Sequence, residues 1–241
     1  ALALLLVCWA LAVVLAPRIA AAAAASAVEV PPRSHQSIEV AQALRALGDS
    51  HDANDPNFAS FRDRVLAQYG VSRVEDLPVN WRGLVAEQGE AEGAAVMNRF
   101  AAARQAQERD QAGVLRAFAW ASPLLAIRHL SMAAAGTDLE QHHRFLDAAE
   151  THRFDLVQRL NRLHAEELTF ADDAARSRDA DAERRTRVSA AFWAGMPDFT
   201  FGVAPAGERV RAALPLAGVL GLWTLLAGLA LVAVRKRTLL A

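Results

Sequence analysis

The chain is short of the devices that brace a domain from outside its own packing. Its only cysteine is Cys8, which lies in an apolar run, so no disulfide staples the polar part of the molecule. Lysine is equally scarce, with Lys236 alone against 25 arginines. With abundant alanine, that bias reads as high-GC coding and carries no functional information. No P-loop, lipidation motif, HExxH, CxxC, GxSxG or Met-rich copper pattern occurs, which removes the common signatures of nucleotide, zinc, copper and acyl-transfer chemistry. No segment alternates at period two for long enough to predict a strand. Charge is missing from two places, Ala1–Ala16 and Ala212–Val234.

The second of these uncharged runs holds 23 residues, eleven of them Leu or Val. As a helix it is about 35 Å long, enough to cross a hydrocarbon core of roughly 30 Å. Pro215 falls near its start, where a missing amide costs least. Arg235, Lys236 and Arg237 close the run and serve as the topology anchor, because short flanking positive charge stays cytoplasmic. The first run is shorter and ends at Pro17 and Arg18. It reads either as the outer part of a spanning helix whose first turns lie upstream, or as the apolar region of a signal peptide with Ala20–Ala27 as cleavage region. The absence of an initiating methionine points to a piece of a longer protein.

The expected domains are a membrane helix over 1–18, incomplete at its start, an extracytoplasmic domain over 19–211, a membrane helix over 212–234 and a cytoplasmic tail over 235–241. The extracytoplasmic part carries 27 acidic and 22 basic residues, a net charge of −5, with no footprint for nucleic acid. Its helices are bounded by local signals. Gln36–Leu47 stops at Gly48. Asp55 caps a helix with Pro56 at its first position, whose apolar face carries Phe58 and Phe61 and which ends at Gly70. Val71–Gly83 reads as a connector. A long helix follows over Leu84–Trp120, weakened at Gly89, Gly93 and Gly113. Ser122-Pro123 opens an apolar helix ending at Gly136. Thr137 and Glu140 then form a capping box for a helix running to Leu168.

That last helix has leucines at heptad-like spacing, Leu139, Leu146, Leu156, Leu160 and Leu163, interrupted by His142 and Arg153. The two long helices are expected to pack antiparallel. The fold class is therefore all-α: two transmembrane helices flanking a large helical extracytoplasmic domain with a long helical hairpin. Its core is expected to include Phe58, Phe61, Leu146, Leu156, Leu160 and Leu163. Asp172–Arg187 reads as a solvated charged segment.

Functional candidates are few. His142, His143, His152 and His164 share one helix, but His143 and His152 face opposite sides, so no metal site is expected. The pairs Asp138/His142 and His143/Asp147 read as surface ion pairs. Adjacent carboxylates at Glu166-Glu167 and Asp172-Asp173 point apart. No catalytic residue and no cofactor is expected. Two structural elements remain. Phe192, Trp193, Phe199 and Phe201 belong to an aromatic stretch that is either internal packing or an element at the membrane surface. In the terminal apolar run, Ala213, Ala217 and Gly221 form a small-residue ridge, with Gly228 further along, suited to close packing of membrane helices.

Taken in order, several segments give the chain a family likeness. They are Ala16-Pro17-Arg18 followed by Val30-Pro31-Pro32-Arg33-Ser34, then Gln68-Tyr69-Gly70-Val71 through Val74-Glu75-Asp76-Leu77-Pro78-Val79-Asn80. Ala121-Ser122-Pro123-Leu124, Ala135-Gly136-Thr137-Asp138 and Met196-Pro197-Asp198-Phe199 complete the set. The chain resembles the C-terminal part of ABC-2-type transporter permeases, in the group labelled permease components involved in multi-copper enzyme maturation. Where that family often reads Pro-x-Arg near the membrane exit, the prolines here are adjacent. The resemblance implies a non-catalytic permease subunit of a bacterial inner membrane. It implies further membrane helices upstream, a separate ABC ATPase subunit and a second permease copy as partners. The alternative is a secreted helical receptor, sensor or scaffold held by one membrane anchor.

Overall fold

The computed structural model describes residues 2–49, 52 and 55–239, and among them the fold is all-helical. Ten α-helices follow one another: α1 (Leu2–Ala27), α2 (Arg33–Leu47), α3 (Ala59–Tyr69), α4 (Trp81–Ala117), α5 (Pro123–Ala135), α6 (Leu139–Glu167), α7 (Phe170–Ala175), α8 (Ala180–Arg185), α9 (Ala190–Ala194) and α10 (Ala206–Leu239). They divide into two compact units. The first is Ala1–Val30, Ala103–Leu146 and Phe201–Ala241, and the second is Pro31–Ala102 and Asp147–Thr200. Both α4 and α6 contribute residues to each.

In the first unit, α1, α5 and α10 surround a core of Ala20, Leu125, Ala126, Leu216 and Val219, with Ala119 from the turn after α4. Leu115, Phe118, Leu130, Leu220 and Trp223 pack around it. Helix α5 runs antiparallel to α10. Arg209 donates to the Ala134 carbonyl at one end (2.8 Å), and the Trp223 indole N–H donates to the Trp120 carbonyl at the other (3.1 Å). Helix α1 does not stop at Pro17. It continues for ten residues beyond, and Ala20 and Ala24 are its buried face. Likewise α10 begins at Ala206, so Pro215 lies inside a helix instead of at its start. Its ring offers no N–H to the Arg211 carbonyl one turn back.

Two membrane helices are the sequence expectation, and among the described residues one helix qualifies. The segment Ala206–Lys236 is long and apolar enough, with a mean hydropathy of 2.2. In α1 the apolar helix among the described side chains is Val14–Ala27, too short to span. The side chains of Cys8 and Arg237 lie outside the described residues.

The second unit has an aromatic core. Phe58, Val65, Trp81 and Val85 are buried, with Phe61, Val74, Leu77 and Leu84 against them. The Phe61 and Trp81 rings stack at 5.5 Å. Asp55 caps the turn Pro56–Phe58 by accepting from the Asn57 N–H, and Gly70 ends α3 in the left-handed conformation. The Val71–Gly83 connector turns helical at Trp81, three residues before Leu84. Asn80 is buried, accepts the Arg82 N–H on its side chain (2.9 Å), and donates its own N–H to the Ala165 carbonyl (2.7 Å). Gly83 explains the close approach: a Cβ there would lie 2.3 Å from the Ala165 nitrogen.

The long hairpin is antiparallel, as the order of its contacts shows. Asn161 donates to the Ala86 carbonyl, Gln158 to the Glu87 carbonyl, and Arg153 to Glu90. Leu156, Leu160 and Leu163 are half-buried. Leu146 is a correction, being 45% exposed. In the first unit the face of α6 turned toward α4 is that of His143, and the contact is polar, so the leucine spacing does not carry through. The start of α6 is also shifted by one residue from expectation. Asp138, not Thr137, accepts the Gln141 N–H (3.0 Å), while Glu140 turns outward to Arg109.

Candidate functional site

The first unit holds a cavity of about 540 Å³. Helix α1 supplies Pro17 and Ala21, α4 supplies Glu108, Gln111, Leu115 and Arg116, and α5 supplies Arg128, His129 and Met132. Asp138, Leu139 and Glu140 come from the start of α6, and Ala212 and Leu216 from α10. The lining therefore mixes apolar and charged side chains.

The carboxylates of this cavity are already engaged. Glu108 accepts from Arg104 (2.9 Å) and meets Nε2 of His143 (2.9 Å), a histidine only 1% exposed. Burial pushes the Glu108 carboxyl up, but the His143 hydrogen bond and the adjacent Arg104 guanidinium outweigh it and hold the group below its ordinary range. Glu140 pairs with Arg109 at 3.1 Å, and Asp138 caps α6. The basic residues differ. Arg116, Arg128 and His129 have no hydrogen bond or ion pair among the described residues. Burial first, then the charges of Arg116 and Arg128, depress His129 below the ordinary histidine range. Two guanidinium groups, Arg116 and Arg128, thus face the cavity without an ion-pair partner, and His129 stands beside them as a neutral imidazole near neutral pH.

A separate polar cluster sits in the second unit. Asp173 is 3% exposed, with His164 at 3.3 Å, Arg82 at 3.6 Å and Arg176 at 3.7 Å. Neither carboxylate oxygen has a hydrogen bond, so the group is held by charge alone. Among the described residues no three His, Cys, Asp or Glu side chains come together as a metal site.

The anticipated functional residues fall as follows. Ala213 is half-buried, while Ala217, Gly221 and Gly228 are exposed, and Gly221 and Gly228 have open space where a Cβ would stand. The face of α10 packed in this chain is Leu216, Val219, Leu220 and Trp223. Arg235 and Lys236 are exposed. In the second unit, Phe192 and Trp193 lie on α9, whose cap Ser189 accepts the Phe192 N–H; Trp193 is 49% exposed, and Phe199 meets His152 at 5.4 Å. In the first unit, Phe201 stands edge-on to Phe145 at 5.3 Å. The stretch is thus divided between the units.

His143 reverses its expectation. Its sequence neighbour Asp147 suggests a surface pair, whereas its ring is buried against Glu108 from a helix far away in sequence. The basic group left one visible signal, since Arg128-His129 interrupts an otherwise apolar helix. Arg116 and Asp173 left none.

Among the described residues, these observations define an all-helical protein with one helix long and apolar enough to span a membrane and a charged, partly apolar cavity beside it. The chain matches, over residues 37–202, the family described as a domain of unknown function (DUF3526). That is more than half its length, and the protein belongs to that family. No curated protein and no solved structure matches it.

Proposed function

We propose that this chain is part of a membrane-embedded permease subunit of an ABC-type exporter in a bacterial inner membrane. A separate ATPase subunit energises it, and its residues 19–211 lie on the outer side. The observation that carries the membrane placement is α10. Leu222, Leu225, Leu226, Leu229, Leu231, Val232 and Val234 are 44–72% exposed along one continuous helix. In water such a surface is unfavourable at roughly 25 cal/mol per Å², whereas lipid covers it without cost. The exporter assignment draws on the family likeness of the quoted segments. In this reading α1 completes a second span with residues upstream. Ala213, Ala217, Gly221 and Gly228 then face other membrane helices or a second permease copy, and Phe192, Trp193, Phe199 and Phe201 lie near the membrane surface.

A second reading has one observation in its favour. A single qualifying span suits an outer receptor, sensor or scaffold held by one anchor. Cysteine accessibility in intact cells tests the shared topology, with Cys8 replaced by Ala. A cysteine at Ser177 should label from outside and one at Thr238 should not; the reverse pattern inverts the topology. Co-purification separates the two readings. A permease subunit retains an ABC ATPase and raises its ATP hydrolysis, and a chain that keeps the topology without either is the anchored module.

A further inference from the structure

We propose that the cavity between α4 and α5 seats the phosphate of an anionic phospholipid, and that the corner joining these helices, Phe118–Ile127, lies among the acyl chains of the outer leaflet. The inference rests on the membrane placement of α10 proposed above. It begins from depth. Trp223 is the midpoint of the uncharged run Ala212–Val234, about 18 Å along the helix from Arg211. Its indole N–H is bonded to the Trp120 carbonyl. If α10 spans, the corner is carried into the bilayer with it.

The corner is built for that place. Trp120, Leu124 and Ile127 are 64%, 38% and 53% exposed. A turn between two helices survives in lipid only where its polar backbone groups are satisfied within the protein. Here the N–H groups of Ala121 and Ser122 both reach the Phe118 carbonyl. The Ala126 N–H reaches the Ser122 carbonyl, and the Ser122 hydroxyl accepts from Leu125. Pro123 has no N–H to satisfy.

The basic residues lie higher. Because α5 is antiparallel to α10 between Trp120/Trp223 and Ala134/Arg209, Arg128 and His129 come level with about Leu214–Leu216. That is roughly 5 Å inside the start of the apolar run, where headgroup meets acyl chain. Arg116 converges on them from α4. Arg116 and Arg128 have no carboxylate partner and His129 adds an imidazole N–H, while Glu108, Asp138 and Glu140 are committed elsewhere, so the unpaired charge of the cavity is positive. Leu115, Met132 and Leu216 supply an apolar bed for one acyl chain. Phosphate chemistry is common to a lipid headgroup and to free phosphate; the apolar bed and the depth select the lipid.

Two measurements on the full chain test this. Purified in neutral detergent, it should retain phosphatidylglycerol in preference to phosphatidylcholine by native mass spectrometry. Arg116→Gln with Arg128→Gln should lower phosphatidylglycerol retention roughly tenfold and leave phosphatidylcholine unchanged, and His129→Gln should lower it less. Unchanged phosphatidylglycerol retention in the double variant overturns the site. Displacement by millimolar inorganic phosphate overturns the lipid in favour of a soluble anion. For depth, spin labels at Ile127→Cys and Leu225→Cys, with Cys8→Ala, are compared for collision with oxygen and with a water-soluble nickel chelate. Both should favour oxygen. An Ile127 label that favours nickel while Leu225 favours oxygen sinks the corner alone. A Leu225 label that favours nickel sinks the membrane placement as well.

Discussion

In the second unit the core holds large rings, with Phe58 and Trp81 buried and Phe61 stacked on Trp81. In the first unit the arrangement is inverted. Small residues such as Ala20, Ala119 and Ala126 are buried, while Trp120, Ile127, Leu222 and Leu225 are outside. Removing apolar area from water drives the second pattern. The first is what a lipid-covered region needs, because lipid is as apolar as leucine and association depends on close contact through small side chains. On the membrane placement proposed above, the same chain carries two packing rules, one for each surrounding.

The largest effect that could break this comparison is Trp81→Ala. Removing a ring that is 2% exposed should cost about 3–5 kcal/mol in denaturant unfolding of the full chain, followed by far-UV circular dichroism. A small cost would mean that water exclusion is not what holds the second unit. Next is Gly83→Ala, which puts a methyl into the Ala165 backbone. A loss of about 1–3 kcal/mol is expected, since backbone yields less readily than a side chain.

Glu108→Gln should cost less, about 1 kcal/mol near neutral pH. Its sharper signature is in acid. The Glu108 carboxyl is depressed in the folded chain, so its contribution is present above its ordinary value near 4.5 and is lost as pH falls through the lower folded value. The variant should flatten the acid limb of the stability profile, and an unchanged limb would show that the His143 contact does not bias that proton. Leu146→Ala, at a site 45% exposed, should fall within about 0.5 kcal/mol. Gly221→Leu is the smallest expected change for the isolated chain, because open space surrounds it. Any loss of assembly or transport in that variant therefore reports a neighbouring membrane helix or second copy.

Much of the fold was legible where local chemistry decides it. Gly70 and Gly136 end helices in the left-handed conformation, and Asp55 and Ser122 cap them, as their spacing to Pro56 and Pro123 predicts. The hairpin followed from two long periodic segments joined by α5. What could not be read was which face of a helix meets its partner over its whole length. The leucine spacing in α6 holds as half-buried positions at Leu156, Leu160 and Leu163 and fails at Leu146, because a buried His143–Glu108 contact takes the inward direction there. The candidate site was mostly invisible for the same reason. Arg116 lies on one helix and Arg128 and His129 on another, and periodicity within one helix says nothing about convergence between two. Pro17 and Pro215 misled in the opposite sense, since a proline inside an apolar helix ends it less surely than one in water-facing sequence.

The beginning of α10 is tied at three points. Gln141 accepts the Ala204 N–H (2.8 Å), Arg144 holds Glu208 (2.8 Å), and Arg209 holds the Ala134 carbonyl (2.8 Å). Mechanically these ties act in parallel, not in series. A pull along the helix axis is shared among them in shear, so the helix cannot creep outward by giving way one bond at a time. The terminal helix is thereby fitted with a brake against sliding, and its axial position is fixed from its first turn instead of by the far end.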